Sequence, residues 1–152
     1  MFDAIARLFS RAEETRAALD PQIAVAALLV HLASVDGSMS RDEHAAIAAG
    51  LRARFGLDDA QVEALIREAQ RRDAEAVDFY AFTSMLSGLE LSERLEIIEM
   101  MWRVVFTDAA NHELEDNMVW RVAELIGVSP RERTTLRSRI ARERENESEQ
   151  TQ

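Results

Sequence analysis

Apolar residues recur along this chain at intervals of three and four, and the stretches that carry them are cut by short polar punctuation. Sustained period-two alternation of β-branched residues is missing, so an all-α fold is predicted. Phe2, Ile5, Leu8 and Phe9 line one face of a short amphipathic helix within residues 1–16. Asp20-Pro21 then reads as an N-cap followed by a first-position proline. The helix it opens runs to about Val35 and is apolar nearly all round, which predicts a central, buried position. Asp36-Gly37 ends it, with Gly37 suited to the left-handed cap conformation.

Seven to eight helices are predicted in all. Ser40 to Glu43 is a capping box, and Ile47, Leu51 and Phe55 stripe the helix that follows, up to Gly56. Asp58, with Gln61 three residues on, opens a helix whose apolar face is Val62, Leu65, Ile66 and Ala69. Asp78 caps a short helix carrying Phe79, Phe82 and Met85 and stopping at Gly88. Ser92 reads as the N-cap of a helix reaching about Thr107, with Leu95, Ile98, Trp102, Val105 and Phe106 inward. Val119, Val122, Ala123 and Ile126 stripe the next helix, which stops at Gly127. Ser129-Pro130 with Glu132 opens the last one, and its polar end, residues 145–152, is expected to be a disordered tail because nothing apolar anchors it.

These signals recur in order. Asp20 and Ser92, Asp36 and Asp108, Glu43 and Glu115, and Ile47 and Val119 each lie 72 residues apart; Gly56 and Gly127, and Asp58 and Ser129, lie 71 apart. Residues 20–144 therefore read as one domain of two helix–acidic turn–helix–helix units, about 20–72 and 92–144, joined by the short Phe79–Ser87 helix.

At 152 residues the chain is long enough for a self-sufficient core. It has no cysteine, which excludes disulfides, thiolate metal sites and thiol catalysis and suits a cytoplasmic protein. The net charge is −10 and every basic residue is Arg, so nucleic acid is an unsuitable partner while cations and basic protein surfaces are suitable ones. The longest apolar stretch, Ile23 to Val35, is short of the roughly 20 residues that span a bilayer. Met1–Ser10 lacks an apolar signal region, and Arg7 and Arg11 supply little basic charge for a membrane-surface helix.

The stretch from Ala33 through Asp36, Gly37 and Met39 to Glu43 resembles the A-x-x-D-G-x-(apolar)-x-x-x-E signature of the tellurite-resistance protein B-like (TerB-like) family. The stretch from Val104 through Asp108 and His112 to Glu115 resembles a second occurrence, with Ala109 in place of the usual glycine. That family includes the N-terminal region of a DnaJ-like co-chaperone, but no His-Pro-Asp tripeptide of a J-domain occurs here. The resemblance spans roughly Asp20 to Ile140 and implies a stress-response protein whose acidic residues bind metal.

The residues themselves supply an electrostatic argument. Asp36 and Asp108 sit at the negative ends of their helices, where a carboxylate costs a few tenths to about 1 kcal/mol. A divalent cation such as calcium or magnesium would reverse the sign of that interaction. The candidate metal ligands are therefore Asp36, Glu43, Asp108, Glu115 and His112. Local capping explains the same residues without metal, because Asp36 can accept from turn amides and Glu43 completes a capping box. The spacing is not that of an EF-hand, since Gly37 falls second and Ile47 replaces the bidentate Glu. His31 is expected to be a satisfied polar group on the central helix, and His44 to face solvent.

No nucleophile motif, metalloprotease helix or dinucleotide fingerprint occurs, so an enzyme is not expected. Two readings remain. One is a non-enzymatic, tellurite-resistance-like protein that binds a divalent cation and recruits a protein partner. The other is a metal-free interaction or co-chaperone-like module, for which Phe2, Ile5 and Phe9 are the candidate partner-binding residues and Trp120 is either core or contact surface. Homo-oligomerisation is compatible with both.

Overall fold

The computed structural model describes residues 21–35, 37–74, 79–107 and 113–150, and every regular element among them is an α-helix. The seven helices are α1 (Pro21–Ala33), α2 (Arg41–Phe55), α3 (Asp59–Ala74), α4 (Phe79–Ser87), α5 (Leu91–Val105), α6 (Glu113–Ile126) and α7 (Pro130–Gln150). The N-terminal helix expected within residues 1–16, and the caps expected from Asp20 and Asp78, lie outside the described residues. No helix among the described residues is long and apolar enough to cross a membrane.

Sequence dictates the central position of α1. Every side chain from Ala24 through Val30 is buried, as are Leu32 and Ala33, so no face of its middle turns reaches water. α2, α3, α4, α5 and α6 all pack against it. Each buried Leu or Val of this helix contributes about 1.5–3 kcal/mol relative to exposure. α5 is the second pillar, burying Ile97, Ile98, Met100, Met101, Trp102, Val104 and Val105 against α1, α2, α6 and α7. The remaining helices are one-sided, as their stripes predict: Ile47 and Leu51 of α2, Val62 and Ile66 of α3, Val119 and Val122 of α6, and Leu136 and Ile140 of α7 face the core. Leu65, Leu95, Phe55 and Phe106 pack against it half-buried.

Three helix starts carry reciprocal capping boxes. Glu43 N donates to Ser40 Oγ at 3.1 Å while Ser40 N donates to Glu43 Oε1 at 3.0 Å. Asp58 and Gln61 do the same for α3 (2.8 and 3.0 Å), and Ser129 and Glu132 for α7 (3.1 and 3.2 Å). α5 departs from the expected start. Its N-cap is Glu90, with φ −65° and ψ 155° and no side-chain cap, so Ser92 lies inside the first turn with its hydroxyl exposed. A local side-chain contact accompanies this start: Arg94 Nε donates to Leu89 O, five residues back, at 3.0 Å.

Arg94 also reaches across the fold. Its Nη1 donates to Ile126 O at 2.9 Å and Gly127 O at 3.1 Å, placing a guanidinium against the negative C-terminal end of α6. Gly127 itself has φ 79°, and a Cβ there would lie 2.9 Å from Arg94 Nη1. α7 departs from expectation in the opposite direction. Instead of ending in a disordered tail from residue 145, it stays helical through Gln150. Glu143 pairs with Arg103 at 3.0 Å and Arg144 hydrogen-bonds the end of α5, so polar anchors hold what apolar ones do not.

Gly127→Ala is expected to destabilise the protein by about 1–3 kcal/mol, because the left-handed backbone and the Arg94 contact both oppose a Cβ. Gly88→Ala, whose nearest neighbour would be at an ordinary 3.7 Å, should stay within about 0.5 kcal/mol of the parent. Urea melts of the two variants check this; equal losses would refute the role given to Gly127.

Candidate functional site

The two acidic turns follow α1 and α5. Of the residues expected to bind metal, Asp36, Asp108 and His112 lie outside the described residues, and Glu43 and Glu115 lie within them. Both glutamates occupy the third position of their helices, α2 and α6, and both are buried, at 4% and 5% exposure. Burial of a carboxylate is unusual unless it is hydrogen-bonded or paired. Glu43 meets that demand through its capping box with Ser40. α2 and α6 share no substantial packing face, so the two glutamates belong to separate turns. Among the described residues no group of three or more His, Asp or Glu side chains is arranged to hold a metal ion.

Backbone carbonyls at the end of α1 are largely taken up locally. Ser34 N donates to Val30 O at 3.1 Å and Ser34 Oγ to the same oxygen at 2.8 Å; Val35 N and Gly37 N donate to Leu32 O and Ser34 O. Gly37 has φ 129°, a conformation glycine tolerates. The end of α5 is built differently. Thr107 Oγ1 donates to Arg103 O at 2.7 Å, and Arg144 of α7 donates through Nε to Phe106 O at 3.1 Å and through Nη2 to Thr107 O at 3.3 Å. An arginine from this chain thus brings positive charge to the second turn, at the negative pole of α5. Sequence reasoning weighed local capping against an external cation in both turns and missed Arg144, which lies 38 residues from Phe106.

Neighbouring charges stiffen this end. Arg103 Nη2 lies 3.0 Å from both Glu99 Oε1 and Glu143 Oε2, and Arg139 Nη2 lies 2.9 Å from Glu99 Oε2. Desolvation opposes the Arg103 charge, but Glu99 and Glu143 outweigh it and hold its pKa above the usual arginine value. The histidines stand apart. His31, expected to be a satisfied polar group, is exposed and is not without a partner. His44 is only half-buried rather than fully solvated, with Nε2 3.3 Å from Glu63 Oε2. Phe2, Ile5 and Phe9 lie outside the described residues.

A groove of about 600 Å3 runs between α2 and α5, over a floor of Ala46, Ala49, Gly50 and Ala53. Its rim charges are already ion-paired; Arg54 Nε lies 2.9 Å from Glu96 Oε2, although off hydrogen-bond alignment. Trp120, expected in the core or at a contact surface, is 53% exposed with the Arg133 guanidinium 4.1 Å from its ring centre. Leu114 is exposed on the same helix, but six residues is about 240° of helical rotation, so the two do not form one patch.

Residues 22–138 match the family described as Tellurite resistance protein TerB, which spans α2 to α6 entire, nearly all of α1 and the first part of α7. No curated protein and no solved structure matches the chain.

Arg144→Met is expected to cost about 1–2 kcal/mol, the worth of charge-assisted hydrogen bonds at a helix end, and to lower helix content as the end of α7 loses its anchor. Arg142→Met, on an exposed residue with one long contact at 3.4 Å, should change neither. Far-ultraviolet circular dichroism with thermal melts separates the two outcomes.

Proposed function

This chain belongs to the tellurite resistance protein TerB family, a non-catalytic family, and on that premise we propose that it is a stress-response protein that binds a divalent cation at its first acidic turn. The observation that carries the reading is Glu43, a carboxylate at 4% exposure beside the turn that contains Asp36. Among the described residues, its Oε1 accepts from Ser40 N. A hard oxygen cation would draw on the Asp36 and Glu43 carboxylates together. At the second turn Arg144 already supplies positive charge, so the first turn is the stronger cation site.

Two units descended from one duplicated segment account for this asymmetry. α1 packs on α2 and α3 as α5 packs on α6 and α7, and Glu43 and Glu115 are buried at the same helical position. The copies then diverged: the second acquired an internal guanidinium at its turn, and the first retained the requirement for a cation. In this reading the cation orders the first turn, and the acidic surface recruits a basic protein partner. A metal-free, co-chaperone-like interaction module is the competing reading, and it predicts indifference to metal.

Divalent cation, tested as calcium, magnesium, manganese and zinc at roughly millimolar concentration, is expected to raise the melting temperature of the protein by mass action. Glu43→Gln keeps an acceptor for Ser40 N and should fold, but it should lose most of that rise. Unchanged melting of the parent protein with every metal would refute the cation site; an equal rise in Glu43→Gln would move it away from Glu43.

A further inference from the structure

The groove between α2 and α5 has a floor of small side chains. Ala46, Ala49, Gly50 and Ala53 follow the i, i+3, i+4, i+7 spacing of one helix face, and Ala49 and Ala53 are exposed. A Cβ at Gly50 would lie 3.2 Å from Met100 Cε, so α5 meets α2 at this floor, where Met100 is buried. Side chains this small let a further helix settle at the short end of the usual interaxial range of about 8–10 Å. The rim carries both signs in equal number, Arg54, Arg103 and Arg144 against Glu96, Glu99 and Glu147. Arg54 pairs with Glu96 at 2.9 Å, Arg103 with Glu99 at 3.0 Å and Arg144 with Glu147 at 3.7 Å. In a chain of net charge −10 this rim is neutral, so it offers little to a basic partner drawn by the acidic surface.

We propose that residues 1–16 of the same chain dock in this groove as an amphipathic helix. Residues 1–20 precede α1 and lie outside the described residues. Phe2, Ile5, Leu8 and Phe9 recur at helical spacing and form one apolar stripe. A helix this short is marginal in water unless that stripe is covered. The charges of the segment balance as the rim's do, with Asp3, Glu13 and Glu14 against Arg7, Arg11 and Arg16. Residues 17–20 tether it to Pro21, the first residue of α1, and α1 packs on both walls of the groove. A tether of this length holds the segment at an effective concentration of roughly millimolar. A second copy of the chain offers the same stripe without that advantage. Docked, the segment and the floor shield each other, and a protein partner that takes Phe2, Ile5 or Phe9 must first displace the segment. Docking needs no cation at the acidic turns.

The chain has no cysteine, so Ser10→Cys provides a single thiol for a nitroxide label, on the side of the predicted helix away from Phe2, Ile5 and Phe9. In the 15N-enriched full-length protein the amides of Ala46, Ala49, Gly50 and Ala53 are expected to lose most of their intensity relative to the reduced label, and those of α6, which does not line the groove, to retain more. Ile5→Asp combined with Phe9→Asp should restore the lost intensity. Ala49→Glu, at an exposed position, should restore it from the other side of the contact, and it provides the readout where the N-terminal variant does not fold. A mixture of spin-labelled unenriched protein with unlabelled 15N-enriched protein should show no loss. Loss in that mixture would put a second copy in the groove and overturn the proposal. Full intensity at the four amides of the labelled chain, greater loss on α6 than on α2, or a loss that persists in Ala49→Glu would overturn it equally.

Discussion

The fold depends on enclosing a helix that has no polar face. From Ala24 to Val30 α1 is buried on every side, and such a helix is stable in water only when neighbours cover it completely. A single helix pair covers one stripe; five packed neighbours cover the whole circumference. The order of the other elements follows from that demand. α2 and α3 fold back on α1, α4 bridges α1 and α6, and α5 adds a second largely apolar column on which α7 closes. The acidic turns are therefore mounted on the two most deeply packed helices.

Helix ends present the complementary problem, because the packing that buries α1 and α5 also concentrates unsatisfied carbonyls where they stop. The protein answers with arginine. Arg94 reaches the end of α6 and Arg144 the end of α5, each with two backbone carbonyls or more on one guanidinium. The planar fork of donors suits this task better than an ammonium would, in a chain whose basic residues are all Arg. Charge at the two acidic turns is consequently unequal, and the proposed cation site follows from that inequality rather than from net charge. Arg133 shows the same point from the other side: a chain of net charge −10 can still bury a guanidinium in one place.

Local rules made much of this legible in the sequence. The apolar run in α1, the reciprocal boxes at Ser40, Asp58 and Ser129, and the glycine at 127 depend on neighbours within four residues, and pattern alone identifies them. Ser92 failed as a cap although the competing contact is local too: Arg94 takes up the Leu89 carbonyl five residues back, a side-chain choice that helix pattern does not encode. The end of α7 looked unanchored because its anchors lie on α5, some 40 residues earlier. For the site, Glu43 and Glu115 could be singled out from their repeated spacing, and both are buried at the third position of their helices. The burial of Arg133 could not be read in the same way, because an arginine in a polar stretch reads as solvated until tertiary packing seats it over Trp120.

Native-state hydrogen exchange tests the dependence on α1 most directly. If enclosure of that helix holds the molecule together, amides from Leu28 to Leu32 exchange only through global unfolding, with the same free energy and denaturant dependence as the whole protein, while those beyond Arg144 in α7 open at much lower cost. Exchange of the α1 amides through local opening, at a free energy below that of α3 or α7, would contradict the account.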